Sequence, residues 1–109
     1  MPATKSVKLS LGGKPRALRY TTTALVAVED ETGLTIGELA QRCSMGSIKA
    51  IGTLVWAGLL HAEPNLTLRE AIDMLDIQKL DSIAKALNDA LEAALGKAEP
   101  DEGNAPATD

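Results

Sequence analysis

Catalysis needs reactive side chains held together, and this chain supplies few. It has one histidine, His61, and one cysteine, Cys43, eighteen residues apart with no companion ligands at metal-site spacing. Gly12-Gly13-Lys14 has neither the length of a phosphate loop nor the Ser or Thr that follows its lysine. Neighbouring acids such as Glu29-Asp30-Glu31 sit in no recognisable pocket motif. His61, near a helix end, reads as a carbonyl cap or a half-exposed ring. Cys43 has no base beside it in sequence and reads as a small buried hydrophobe. The expectation is a protein that is not an enzyme, with no metal and no cofactor.

Bulk properties narrow the class further. At 109 residues the chain has the length of one domain. It is 45% hydrophobic but only 2% aromatic, so aliphatic side chains and alanine must fill the core. A lone cysteine permits no internal disulfide and fits a reducing compartment. Met1 to Leu11 carries lysines and no apolar signal-peptide core, so a cytoplasmic protein is expected. No stretch reaches the roughly 20 apolar residues that a membrane span takes.

The formal charge of −4 is unevenly spread. Residues 1–20 hold Lys5, Lys8, Lys14, Arg16 and Arg19 with no acid, so the other segments are strongly acidic. A basic arm on an acidic body can contact nucleic acid, dock on its own body or meet another subunit.

Local patterns place the elements. Residues 1–6 read as a disordered leader and 7–96 as a single domain. Val7 to Leu11 alternates apolar and polar, Gly12-Gly13 offers a tight turn, and 16–20 returns. This is a β-hairpin with Val7, Leu9, Leu11, Leu18 and Tyr20 on its buried side. Two strands alone are marginal, so the hairpin must pack on helices or gain strands from another chain. Val7, Leu9, Leu11, Arg16 and Arg19 are the candidate assembly residues of this hairpin. Threonine caps open a helix over about 22–32 closed by Gly33, its acidic end either solvated or paired with Arg16, Arg19 or a partner. Capping boxes at Thr35-Glu38 and Thr67-Glu70 start two short helices, the first through about Arg42. The last helix, about 78–95, turns Leu80, Ile83, Ala84, Leu87, Leu91 and Ala94 inward, with an Asp81–Lys85 pair outside and Gly96 as its cap. Residues 97–109 are acidic and lack large apolar side chains, the composition of a disordered tail.

Between these lies 47–62, capped by Ser47. Ile48, Ile51, Val55 and Leu59 share one face, Trp56 and Leu60 extend it, and Ala50, Leu54 and Ala57 cover the back. A helix apolar nearly all round is central to a core or covered by a partner. The fold class expected is α+β, mainly α: an N-terminal hairpin packed on four to five helices.

Thr35 to Arg42, a turn and Ser47 to Leu60 also resemble a helix-turn-helix, which makes a small DNA-binding regulator the alternative. A recognition helix needs polar side chains in its first turns, and only Ser47 and Lys49 qualify. No wing hairpin follows Leu60, so nucleic acid is not the expected partner.

The order of hairpin (Leu11-Gly12-Gly13-Lys14, then Leu18-Arg19-Tyr20), Ala24-Leu25…Glu29…Gly33 helix, Ile36…Leu39 helix, Ala57-Gly58-Leu59 helix and Leu66-Thr67…Ala71 helix resembles a known family. These are the small tail assembly chaperones of long-tailed phages and gene transfer agents, whose members are often named tail tube or tail assembly proteins. The resemblance spans about residues 7–95. It implies binding to the tape-measure protein, shielding of its apolar helical segments and recruitment of the tail-tube protein, without a place in the finished tail. It also implies self-association as a homo-oligomer and, in some members, a frameshifted extension. A structural tail component is a third reading. Leu54, Trp56 and Leu60 are the candidate partner contacts, because they lie off the Ile48/Ile51/Val55/Leu59 face.

Overall fold

Capping chemistry sets most element boundaries in the computed structural model, which describes residues 7–95. The leader over 1–6, the Gly96 cap and the acidic tail lie outside the described residues. β1 (Val7–Leu11) and β2 (Lys14–Leu18) pair antiparallel with Val7 opposite Leu18, Leu9 opposite Arg16 and Leu11 opposite Lys14. Gly12 and Gly13 have φ of 59° and 81°, the pair of left-handed residues that a two-residue type I′ turn requires. That tight turn starts the return strand at Lys14 rather than 16, and leaves Arg19 and Tyr20 beyond it. Directly opposed residues share a face, so Arg16 lies on the same face as Leu9.

Five helices follow. α1 (Thr22–Thr32) starts where the Thr21 hydroxyl accepts from the Ala24 N–H and ends at Gly33, whose N–H donates to the Glu29 carbonyl. α2 (Ile36–Ser44) and α4 (Leu68–Asp73) each open with the expected capping box. α3 (Ile48–Leu59) is capped by Ser47 and stops short of 62. A 3-10 turn at Ile77–Lys79, capped by Asp76, precedes α5 (Leu80–Leu95). On α5 the ion pair forms between Lys85 and Asp89, 3.6 Å apart, instead of Asp81 and Lys85. The architecture is α+β and mainly α, as the sequence patterns indicate.

α3 is the hub. It packs against α1, α2, α4, α5 and β2, and all residues from Ala50 to Val55 are buried. Its polar Thr53 is satisfied within the helix, the hydroxyl donating to the Lys49 carbonyl at 2.8 Å. Two glycines let neighbours reach its backbone. A Cβ at Gly52 would stand 2.5 Å from Ile72 Cγ1 of α4, and one at Gly58 would stand 3.0 Å from Leu18 Cδ2. Ile83, Leu87, Ala90 and Leu91 of α5 complete the core, while Ala84 and Ala94 stay half-buried.

The Gly52 contact gives a quantitative expectation. Gly52→Ala should cost about 1–3 kcal/mol, the range for overpacking a filled site. Adding Ile72→Ala should recover part of that loss. Denaturant melts of both single variants and the double variant check this through their non-additivity.

Candidate functional site

The hairpin is fastened to the C-terminal half of α3 by polar contacts as well as packing. The Tyr20 hydroxyl donates to the Leu54 carbonyl, and its ring lies where a side chain on Gly58 would stand. Beside it the Arg19 N–H donates to the Gly58 carbonyl at 2.9 Å. His61 Nε2 lies 2.9 Å from the Ala17 carbonyl, which can only accept, so this nitrogen carries the proton. His61 thus reaches a strand carbonyl instead of capping its own helix. Arg16 forms an ion pair with Glu63 and donates from Nε to the Leu11 carbonyl at 3.1 Å.

These contacts decide between readings that the sequence left open. The basic hairpin docks on its own body through Arg16, and Glu29, Asp30 and Glu31 remain exposed without an ion pair among the described residues. Of the expected assembly residues, Arg16 and Arg19 are tied to α3 and the loop after it. Leu11 is buried, and Val7 and Leu9 are half-buried. Cys43 is buried, and burial pushes its thiol up, away from the reactive thiolate form.

The three candidate partner contacts do not form one surface. Leu54 is 0% exposed, so it belongs to the core and not to a contact face. Its carbonyl accepts from the Tyr20 hydroxyl of the hairpin segment, a contact that the repeat of apolar residues around α3 could not reveal. Trp56 is half-buried and its indole N–H donates to the Leu66 carbonyl at 2.8 Å, clamping the α3–α4 loop. Leu60 is half-buried as the cap residue of α3.

Exposed apolar side chains cluster elsewhere. Met45 is 79% and Ile48 48% exposed, both at the α2–α3 turn. That turn and α5 form the walls of an open groove lined by Cys43, Ser44, Gly46, Ile51, Leu80, Asp81, Ala84, Lys85 and Asn88. Ile48 was expected to face inward, but it occupies the first turn of α3, beyond the cover of its neighbours. A methionine inside the Ser44-Met45-Gly46 turn was the available sequence signal.

Over residues 4–97 the chain matches the model of a family described as phage tail tube protein, GTA-gp10. The chain belongs to that family. No curated protein and no solved structure matches it.

A member of a phage or gene-transfer-agent tail family is expected to work through contacts with other tail proteins. For the helix-turn-helix alternative, this tail protein offers little surface. α3 is buried from Ala50 to Val55, and the Ser47 hydroxyl accepts from the Ala50 N–H at 3.1 Å. A recognition helix must instead present its early turns to base edges. Among the described residues no group of three or more His, Cys, Asp or Glu could hold a metal, and no helix is long and apolar enough to cross a membrane.

The hairpin junction is testable through Tyr20, the chain's one tyrosine. Burial, and secondarily Cys43, raise its phenol well above the usual value. The unfolded chain therefore releases this proton first. The group's contribution to stability is intact below pH about 10 and declines as pH rises from there toward the folded value. Tyrosinate absorbance should appear together with alkaline unfolding rather than before it. Tyr20→Phe should cost about 1 kcal/mol at neutral pH, the size of one hydrogen bond. It should also flatten the alkaline decline in denaturant-measured stability.

Proposed function

We propose that this tail-family protein is an assembly chaperone that binds an amphipathic helical segment of the tape-measure protein. The occupied site is the groove between the α2–α3 turn and α5. The observation that carries this reading is the open groove lined by Cys43, Ile51, Leu80 and Ala84, with Met45 and Ile48 exposed on the α2–α3 turn that forms one of its walls. Laying an apolar helix face into such a groove is a common mode of helix recognition, and methionine adapts to varied side chains. Asp81 and Lys85 along α5 supply rim charges of both signs. The role is binding and not catalysis, and tail-tube subunits are recruited to the shielded tape-measure segment.

Trp56 lies about 140° around α3 from Ile51, at 100° per residue, so it belongs to a different side from this groove. A second reading, a structural tail component, is favoured by the family's being one of phage tail tube proteins. The two differ in where the protein ends up.

Two measurements separate them. Met45→Asp and Ile48→Asp, on the turn that borders the groove, should each reduce co-purification of the tape-measure protein by about tenfold, the effect of removing an apolar contact. Trp56→Phe should leave it unchanged. Quantitative mass spectrometry of finished particles should find the tape-measure and tube proteins without this chain. Its presence at a fixed ratio to the tube subunit would favour the structural reading.

A further inference from the structure

One wall of the groove is α5, and that wall does not stop where the helix begins. The 3-10 turn Ile77–Lys79 runs directly into α5 at Leu80. Side chains three residues apart eclipse in such a turn, so Ile77 stands in line with Leu80. Ile77 is 77% exposed, although isoleucine offers water no hydrogen bond. From Leu80 the wall continues through Asp81, Ala84, Lys85 and Asn88, which share one side of α5. From Ile77 to Asn88 it covers about three helical turns.

The charges along this wall are unequal in effect. Asp81 and Lys85 are the charged residues that line the groove. Lys85 is committed, its Nζ 3.6 Å from Asp89 Oδ2 one turn further along α5. Asp81 forms no ion pair among the described residues. The lining residues from α2 and the turn after it, Cys43, Ser44 and Gly46, carry no charge. The groove therefore presents an uncompensated carboxylate beside an apolar strip. The chain as a whole adds to this field, with a formal charge of −4.

We infer that the helix bound in this groove is a basic one, an amphipathic segment of about three turns whose apolar stripe is flanked by lysine or arginine, with Asp81 as the residue that selects it. This rests on the groove being the helix site proposed above, and it names the chemistry of the segment that fits there. Ile77 is a further contact residue, covering the apolar stripe beyond the start of α5. An acidic helix of equal hydrophobicity would set its carboxylates against Asp81 and Asp89, a like-charge contact that opposes binding. Asp81 also serves α5 itself, because an acid in the first turn of a helix is favoured by the helix dipole. Selection must therefore be measured separately from helix stability.

Two labelled peptides of about 18 residues, long enough to form a helix, make that separation. Both carry the same leucine face, and the opposite face holds lysine in one and glutamate in the other. Fluorescence anisotropy with the full chain reads their affinities at low and at physiological salt. The lysine peptide should bind about tenfold more tightly, and its advantage should shrink as salt rises. Asp81→Asn should cut that preference about threefold, the size of one exposed ion pair, and Asp81→Lys should abolish it. Asp89→Asn, which releases Lys85, should also reduce it. Ile77→Ser should weaken both peptides alike, by about fivefold, and leave the preference unchanged.

A loss of affinity for both peptides together in Asp81→Asn would reveal a structural role and overturn the assignment. Equal binding of the two peptides, or tighter binding of the glutamate peptide, would also overturn it; if Met45→Asp still lowered binding, the groove itself would stand. Binding by neither peptide, or binding indifferent to Met45→Asp, would overturn the groove as a helix site and this inference with it. Circular dichroism checks that each variant is folded, and Asp89→Asn with the salt series decides the matter if the Asp81 variants are not.

Discussion

A short helix with almost no polar side chain must be covered on every side, and the rest of this protein meets that requirement. α3 cannot face water along more than its first turn without exposing isoleucine, leucine or valine. Elements from both ends of the chain therefore converge on it. The cover is close because Gly52 and Gly58 let Ile72 and the hairpin residues Leu18 and Tyr20 approach the helix backbone. With so little aromatic bulk in the chain, this close approach replaces the filling that large rings would otherwise provide.

The hairpin depends on the same helix. Two strands have little stability alone, and here one inward face and one edge are fixed to α3 and its following loop. The Tyr20 hydroxyl, the Arg19 amide and the His61 ring all meet α3 or strand carbonyls. β2 is fixed to α3 in this way, and β1 packs against α5.

Much of the fold was legible because it is written in local chemistry. A side-chain oxygen that caps a helix sits within three residues of the amide it serves, so Thr21, Thr35, Ser47 and Thr67 could all be read directly. The Gly12-Gly13 turn and the amphipathic period of α5 are equally local. What could not be read depends on contacts distant in sequence. Arg16 meets Glu63, 47 residues away, and nothing near either residue announces the pairing. Lys85 has acids four residues away on both sides, so spacing alone does not select Asp89. At the candidate site, Leu54 and Ile48 exchange their expected roles. Helical periodicity says which residues share a face, but not where the neighbouring elements end.

In the proposed function α3 serves as the scaffold, and the surface assigned to a partner is the groove at its N-terminal end. Amide hydrogen exchange on the full chain tests this most directly. The amides of Ala50 to Leu59 should be the slowest in the protein and should exchange only through global unfolding. Exchange in that segment by local opening, faster than in α1 or α5, would contradict the account and mark α3 as a helix that leaves the core to bind.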